Sequence, residues 1–301
     1  MTKQPAKLIV VLGPTASGKS DLAMTLAQKY QGEIICADSR TIYRGMDIGT
    51  AKPSAADQEL VPHHLLDVVN PDQSFSAAEF KLRAEAAITD ITARGKLPML
   101  VGGSGLYIDS ILYDYQFPVE ADPSQRAELE RLSIFELQQK LTKINSEKYE
   151  KIDINNRRRL IRAIEITNNP NNTVTKSDII RANTLVLGIA KPKNVLNANI
   201  IKRAELMLRE GIISEVRNIG QTYGWDSEAM SGIIYRAFKD VARENSNNSE
   251  KINAALAEFI AGDKKLVKKQ VTWFKRNPNI IWLDDAPGAD KLVASFLAKP
   301  V

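Results

Sequence analysis

The chain of 301 residues has few of the residue types on which thiol and metal chemistry depend: one cysteine and two histidines. Cys36 lies in the apolar run 34–37, where a buried and inert thiol is favoured over a nucleophile. His63 and His64 are neighbours, so they cannot share one face of a strand or helix, and we expect a structural or solvent-facing role. A cysteine nucleophile and a His/Cys metal centre are therefore not expected.

Long hydrophobic runs are also missing from the sequence. No stretch of about 18 apolar residues is present, so we expect no transmembrane helix. Residues 1–7 lead directly into a short apolar run, which leaves no room for a signal peptide. We therefore expect a cytoplasmic protein with no membrane partner. Hydrophobic residues make up 44% of the chain and charged residues 26%, as in an ordinary globular protein.

The most informative motif that is present is a phosphate-binding loop. Residues 13–20 fit G-x-x-x-x-G-K-[ST], after the apolar run 8–12 and before a helical pattern. In such a loop the backbone N–H groups surround an anion, the helix presents its positive end, Lys19 adds a charge and Ser20 can ligate Mg²⁺. Because most such loops hold ATP or GTP, a nucleotide-consuming enzyme is the default interpretation. The residues predicted to bind a di- or triphosphate are Gly13, Pro14, Thr15, Ala16, Ser17, Gly18, Lys19 and Ser20.

Strand-like runs alternate with long helical patterns, which favours an α/β fold with helices on both faces of a parallel sheet. The predicted strands are 8–12, 33–37, 98–101, 184–190 and 280–283, and the clearest helices are 76–94 and 196–209. From about residue 118 the strand signal disappears and several helices are predicted. We therefore predict a P-loop α/β core, residues 1–117 and 180–301, with an inserted all-helical subdomain, residues 118–179.

Two further polar segments follow predicted strands, at the sheet edge where open α/β folds place their ligands. Asp38 comes directly after the second strand and can accept a proton or pair with Mg²⁺, although a turn cap is an equally good interpretation. Ser104 lies in a Gly-Gly-Ser-Gly stretch that opens a helix. Its hydroxyl can serve either a ligand or the helix N-terminus.

The net charge of +5 is weak evidence by itself, but the basic residues are clustered. One cluster contains Arg157, Arg158, Arg159 and Arg162, and the other contains Lys264, Lys265, Lys268, Lys269, Lys275 and Arg276. A lysine-rich helix face is often simply solvated. Two such clusters in a chain that binds phosphate favour a polyanionic partner.

These segments together resemble one family, the tRNA dimethylallyltransferases, also called tRNA isopentenylpyrophosphate transferases. The resemblance covers nearly the whole chain. The stretch Asp-Ile-Gly-Thr-Ala-Lys-Pro at 47–53, joined to the phosphate loop, is its most specific feature. The other matching motifs lie at 37–46, 63–67, 75–80, 102–107, 158–165 and 268–274.

The resemblance implies transfer of a dimethylallyl group from dimethylallyl diphosphate to N6 of adenine 37, beside the tRNA anticodon, without consumption of a nucleoside triphosphate. The phosphate loop would hold the diphosphate together with Mg²⁺ at Ser20, and Asp38 would accept a hydrogen bond or proton from the amine. Lys19, Ser104 and Arg236 would complete the catalytic set of a monomeric enzyme. The residues expected to contact the anticodon stem–loop are Asp38, Ser39, Arg40, Thr41, Ser104, Arg126, Arg158, Arg159, Leu160, Ile161, Arg162, Lys268, Lys269 and Gln270.

The sequence departs from the family pattern at three places that we expect to face tRNA. Ile234 replaces a glycine in the run 231–234, Asp263-Lys264 replaces a Thr-Arg pair, and Arg40-Thr41 stands where glutamine is common. Three alternative functions remain open: a small-molecule or nucleotide kinase, a nucleic-acid-binding protein with a regulatory ATPase, and an adenylate isopentenyltransferase that modifies free nucleotide. The arginine cluster at 157–162 and the inserted helices favour tRNA over free nucleotide.

Overall fold

A computed structural model describes residues 5–117, 123–169, 173–283 and 286–299. The chain divides into two compact units, which we call the core unit (Met1–Tyr113 with Ile179–Val301) and the insertion (Asp114–Asp178). Residue 118, where the sequence predicts the insertion to begin, lies outside the described residues. So do residues 1–4 of the N-terminal segment.

One parallel sheet runs through the core unit. Its strands are β1 (Leu8–Leu12), β2 (Gly32–Ala37), β3 (His63–His64), β4 (Leu97–Gly102), β5 (Thr184–Ile189) and β6 (Ile281–Leu283). Their order across the sheet is β3-β2-β4-β1-β5-β6, and every neighbouring pair is parallel. The predicted α/β fold is confirmed. The edge strand β3 was not predicted, because two residues are too few to show a periodic pattern.

The described helices belong to both units. Those of the core unit are α1 (Lys19–Tyr30), α2 (Ala55–Leu60), α3 (Ala77–Ala93) and α4 (Gly105–Leu112), then α9 (Lys193–Glu210), α10 (Ile212–Tyr223), α11 (Ile233–Arg243), α12 (Ser249–Phe274) and α13 (Ala286–Ala298). Those of the insertion are α5 (Pro123–Arg131), α6 (Ile134–Ile144), α7 (Ser146–Lys151) and α8 (Arg157–Asn168). None of these helices combines the length and the apolar character needed to cross a bilayer.

Each face of the sheet packs against its own set of helices. Leu8 and Val10 of β1 belong to the cluster that α3, α4 and α9 to α12 complete, whereas Ile9 and Val11 belong to the cluster of α1 and α13. Side chains alternate between the faces of a strand, so a strand covered on both faces is a continuous apolar run. Cys36 of β2 is buried in the second cluster, as predicted.

The sheet order determines where the polar segments meet. The strands β2, β4 and β1 are consecutive neighbours and point the same way. Their carboxyl ends are followed by Asp38, by the Gly103-Ser104 stretch and by the phosphate loop respectively. Three segments that are far apart in sequence therefore share one edge of the sheet.

The insertion has a small hydrophobic core of its own. Leu137 and Leu141 of α6 pack with Leu160 and Ile164 of α8, and Leu129 of α5 completes the cluster. A short antiparallel bridge between residues 116 and 175 closes the unit.

Candidate active site

The phosphate loop turns directly from β1 into α1. Gly18 has φ 86°, in the left-handed region that favours glycine, and α1 begins at the next residue. The hydroxyl of Ser17 is buried and has no hydrogen-bond partner within the described ranges. Burial lowers the pKa of Lys19, an effect that nearby Asp38 opposes and nearby Arg203 reinforces. The loop thus offers a cation and an unsatisfied hydroxyl beside a carboxylate and a second cation.

The Asp38 and Ser104 segments are joined by hydrogen bonds. Ser104 Oγ accepts a hydrogen bond from the backbone N–H of Ser39 at 3.0 Å. Ser104 stands at the N-cap position of α4, yet its side chain makes no capping bond. Asp38 Oδ1 accepts from the backbone N–H of Arg40 at 2.8 Å, which is the turn bond that the sequence allowed. Ser104 therefore does more than start a helix, because it connects the loops after β4 and β2.

Gln270 of α12 connects the phosphate loop to the loop after β4. Its Oε1 accepts from the backbone N–H of Thr15 at 2.9 Å, and its Nε2 donates to the backbone oxygen of Gly103 at 3.0 Å. Both polar groups of the side chain therefore have partners inside the core unit.

A cavity of about 500 Å³ lies between these loops and the helices that follow β5. Thr15, Asp38 and Ser104 line its polar side, together with Arg203, Asp263 and Gln270. The apolar side carries Ile233, Ile234, Phe259, Leu266 and Trp273. The cavity therefore has a polar end beside the phosphate loop and an apolar wall.

Arg203 of α9 and Asp263 of α12 form an ion pair in the wall of the cavity. Burial raises the pKa of Asp263, and the arginine opposes that rise. Arg203 was not predicted as a site residue, because nothing in its local sequence sets it apart from the other basic residues of α9. Asp263 was expected to face tRNA, but its side chain is only 4% exposed and points into the core unit. That expectation is wrong.

The stretch 47–53 is held in place by buried charged residues. Glu215 of α10 accepts hydrogen bonds from the backbone N–H groups of residues 47, 48 and 49 at 2.7 to 2.9 Å, and from the hydroxyl of Tyr235 at 2.6 Å. Lys52 is 4% exposed and pairs with Asp67 at 2.7 Å. These contacts fix Gly49 at the cavity wall. Glu215 was not predicted as a site residue, because its backbone partners lie more than 160 residues earlier in the chain.

The family of the protein follows from comparison with known proteins. A sequence profile of the IPP transferase family matches residues 41–277.

The chain belongs to the IPP transferase family.

It is 38% identical over 296 residues to the tRNA dimethylallyltransferase of Leuconostoc citreum, a match that covers 97% of this chain and 98% of that protein. It is 40% identical over 285 residues to the tRNA dimethylallyltransferase of Roseiflexus sp., covering 92% of each.

Solved structures of the IPP transferase family have the same architecture. The tRNA isopentenylpyrophosphate transferase of Bacillus halodurans has a TM-score of 0.71 at 34% identity, with 97% of this chain and 96% of that chain covered. A eukaryotic dimethylallyltransferase, solved as it acts on tRNA, has a TM-score of 0.79 at 23% identity, which supports the fold.

In this IPP transferase, two arginines of the insertion that were predicted to contact tRNA converge on one buried carboxylate. Glu165 of α8 is fully buried and accepts from Arg126 at 3.1 Å and from Arg162 at 3.2 Å. Both guanidinium groups remain partly exposed, at 45% and 34% of the side chain. Arg158 and Arg159 are also exposed on α8.

Other predicted tRNA contacts are corrected by the structure. Leu160 and Ile161 are 0% and 2% exposed in the core of the insertion, and Thr41 is 6% exposed, so their side chains cannot form a tRNA-binding surface. Leu160 and Ile161 belong to the apolar, buried face of the amphipathic helix α8, whereas the arginines of the same motif lie on its exposed face.

The remaining predicted residues lie at the surface or at its edge. Lys268 and Lys269 are exposed on α12, and Ser39 and Arg40 are half-buried. Arg236 is exposed on α11 and does not belong to the described lining of the cavity, so its catalytic role stays a prediction.

Proposed function

We propose that this protein is a tRNA dimethylallyltransferase, which transfers the dimethylallyl group of dimethylallyl diphosphate to N6 of adenine 37 in tRNA and releases diphosphate. The observation that carries this proposal is the cavity, in which an anion-binding loop, a carboxylate and an apolar wall meet. The family and the relatives named above agree with it.

The anion-binding end suits the leaving group. In the proposed reaction, the bond between the allylic carbon and the diphosphate oxygen breaks while the amine nitrogen forms the new bond to that carbon. Negative charge therefore grows on the diphosphate, where preorganised donors stabilise the transition state. The loop N–H groups, Lys19 and the nearby Arg203 supply such donors.

Mg²⁺ is compatible with the donors at this end of the cavity. Magnesium is usually bound through one or two protein oxygens, substrate phosphates and water rather than by a closed protein cage. The hydroxyl of Ser20, which is exposed at the first turn of α1, is suited to that role. When bound, the ion would offset charge on the diphosphate.

Asp38 suits the amine. The proton that leaves the nitrogen requires an acceptor, and a carboxylate within hydrogen-bond reach can serve as a general base. The backbone N–H of Arg40 orients the Asp38 carboxylate through Oδ1, which leaves Oδ2 for the substrate. The apolar wall would hold the dimethylallyl chain and keep water from the reactive carbon.

One incubation tests the proposed reaction. The protein is mixed with Mg²⁺, dimethylallyl diphosphate and unmodified tRNA without ATP, and the nucleosides are analysed by mass. We expect N6-isopentenyladenosine from tRNA and none from free AMP. A requirement for ATP would favour a kinase, and modification of AMP alone would favour an adenylate isopentenyltransferase.

The matched variant for this experiment is Asp38→Asn, which keeps the size of the side chain but removes its basicity. We expect turnover to fall by about 10²-fold, on the scale of losing a general base, while tRNA binding stays within a few-fold. If tRNA binding collapses and turnover at saturation is normal, Asp38 is a docking residue. The monomeric state and the cytoplasmic location stay predictions.

A further inference from the structure

Gln270 contacts two loops of the candidate active site at once. Thr15 lies in the loop after β1 and Gly103 in the loop after β4, and these strands are neighbours in the sheet. Gln270 is on α12, 255 and 167 residues further along the chain. Its single carboxamide accepts from one loop and donates to the other, at 2.9 and 3.0 Å.

The loop after β4 is shaped to admit this carboxamide. A Cβ atom on Gly103 would lie 2.6 Å from Nε2 of Gln270, so a larger residue there would displace the amide group. Gln270 is half-buried, and it lines the cavity beside Thr15 and Gly103. The loss of either hydrogen bond leaves a backbone group of a part-buried loop without this partner.

We propose that Gln270 is a positioning residue, which ties the phosphate loop and the Gly103 loop to α12 so that diphosphate meets a preformed set of N–H donors. This inference rests on the proposed function for its ligand. It differs from the direct tRNA contact that the family resemblance implies for Gln270. Both polar groups of its side chain are already engaged within the core unit, whereas the adjacent Lys268 and Lys269 are exposed.

The positioning role proposed for Gln270 differs from the role expected for the exposed lysines of the same helix, α12. The exposed lysines can contact a polyanion through charge, and that contact is screened by salt. Gln270 is uncharged and acts on the loops, so its effect on diphosphate binding is expected to be independent of salt. Substitutions at adjacent positions of one helix should therefore have different consequences.

The test is Gln270→Met, which keeps the length of the side chain and removes both hydrogen bonds. We expect inorganic pyrophosphate with Mg²⁺ to bind about tenfold more weakly by calorimetry, as for the loss of one to two hydrogen bonds. The KM for dimethylallyl diphosphate should rise in parallel, while tRNA binding stays within about twofold. Lys268→Gln should show the opposite pattern, with weaker tRNA binding and unchanged pyrophosphate binding.

Gln138→Met is the matched control for general loss of stability. Gln138 donates to the backbone oxygen of Ile154 at 3.0 Å in the insertion, so this variant loses a comparable bond far from the phosphate loop in sequence. We expect its pyrophosphate affinity to equal that of the wild type. Unchanged pyrophosphate affinity in Gln270→Met, or weakened tRNA binding at unchanged pyrophosphate affinity, would overturn the proposal.

Amide hydrogen exchange provides a readout that does not depend on the ligand. The peptide containing residues 13–18 should exchange about tenfold faster in Gln270→Met and in Gly103→Ala than in the wild type or in Gln138→Met. Equal exchange in all four proteins would overturn the positioning role. If the wild type binds no pyrophosphate, the proposed function is contradicted, and the exchange result still decides the role of Gln270.

Discussion

Each of the two units contains a buried carboxylate that pairs with arginine, but the surroundings of the arginines differ. In the core unit Asp263 holds Arg203 in the wall of a cavity. In the insertion Glu165 holds Arg126 and Arg162, whose side chains reach the surface. A buried carboxylate without a partner would be strongly destabilising, so both pairings are structural requirements.

Because the surroundings of the arginines differ, we expect the two pairings to lie near two kinds of anion. A guanidinium in a cavity can contact only a group that enters the cavity, and a low-dielectric wall protects the interaction from salt. Guanidinium groups at the surface can contact an extended polyanion, and their interaction weakens as salt rises. We therefore expect the cavity of the core unit to bind diphosphate and the exposed basic residues of the protein to contact nucleic acid.

The largest effect is expected for Lys19→Ala in the phosphate loop of the core unit. The variant loses the charge that offsets the departing diphosphate, so the rate of transfer should fall by about 10²-fold or more. Single-turnover kinetics with saturating substrates would measure it. Lys29→Ala is the control, because Lys29 is an exposed residue of the same helix that pairs with Asp290 at the surface. Near-normal turnover in Lys19→Ala would show that the phosphate loop does not belong to the active site.

The insertion is tested by neutralising its exposed arginines in the double variant Arg158→Gln/Arg159→Gln. We expect tRNA to bind about tenfold more weakly at moderate salt and the salt slope of binding to decrease by about 1 to 2, with pyrophosphate binding unchanged. Filter binding over a salt series would measure both. The double variant Lys143→Gln/Lys151→Gln makes the same change of charge elsewhere in the insertion. If both double variants lose the same amount of tRNA affinity, Arg158 and Arg159 are part of an ordinary solvated helix face.

The same comparison applies to the lysines of α12. Neutralising Lys264, Lys265, Lys268 and Lys269 should weaken tRNA binding and flatten its salt dependence, since these four side chains are exposed on one helix. If tRNA affinity and the salt slope stay the same in this variant and in the arginine variant, both clusters are ordinary solvated surfaces.

A smaller effect is expected for Asp263→Asn, which keeps the polar contact to Arg203 but removes a negative charge from the cavity. Pyrophosphate should bind about three- to tenfold more tightly, because less repulsion opposes the anion. Since burial raises the pKa of Asp263, protonation of this carboxylate at lower pH should have the same direction of effect, and the difference in pH dependence between the wild type and the variant should report it. Glu258→Gln, an exposed position on α12, is the control. Weaker binding in Asp263→Asn would show that the carboxylate mainly orients Arg203.

The smallest effect concerns Glu33, a third buried carboxylate that pairs with an arginine. It lies at the start of β2 and so at the opposite end of that strand from Asp38. Arg94 holds the pKa of Glu33 at about 2, with a further contribution from His64 and against the effect of burial. The stabilisation is therefore complete above a pH of about 4.5 and is lost as the pH falls toward 2.

The matching experiment compares the wild type with Glu33→Gln. The free energy of unfolding of the wild type should decrease by about 1 to 2 kcal/mol more over this acid range, a value reduced because Arg94 is half exposed. Urea titrations at several pH values would measure it, with Glu59→Gln as an exposed control. Activity at neutral pH should change little in Glu33→Gln, in contrast to the variants in the cavity.

What the sequence by itself determined are the features that local residues encode. The run Leu8–Leu12 is strand-forming and apolar on both faces, Gly18 permits a left-handed backbone, and Lys19 and Ser20 open an amphipathic helix, so the phosphate loop was recognisable without a structure. Three contacts were decided by the tertiary structure alone. They are the ion pair of Arg203 with Asp263, the hydrogen bonds of Glu215 to the backbone of residues 47–49, and the hydrogen bond of Gln270 to Thr15. These partners are 60 to 255 residues apart. Each is an ordinary polar residue of an amphipathic helix, and its partner is set by helix packing, which leaves no periodic signal in the sequence.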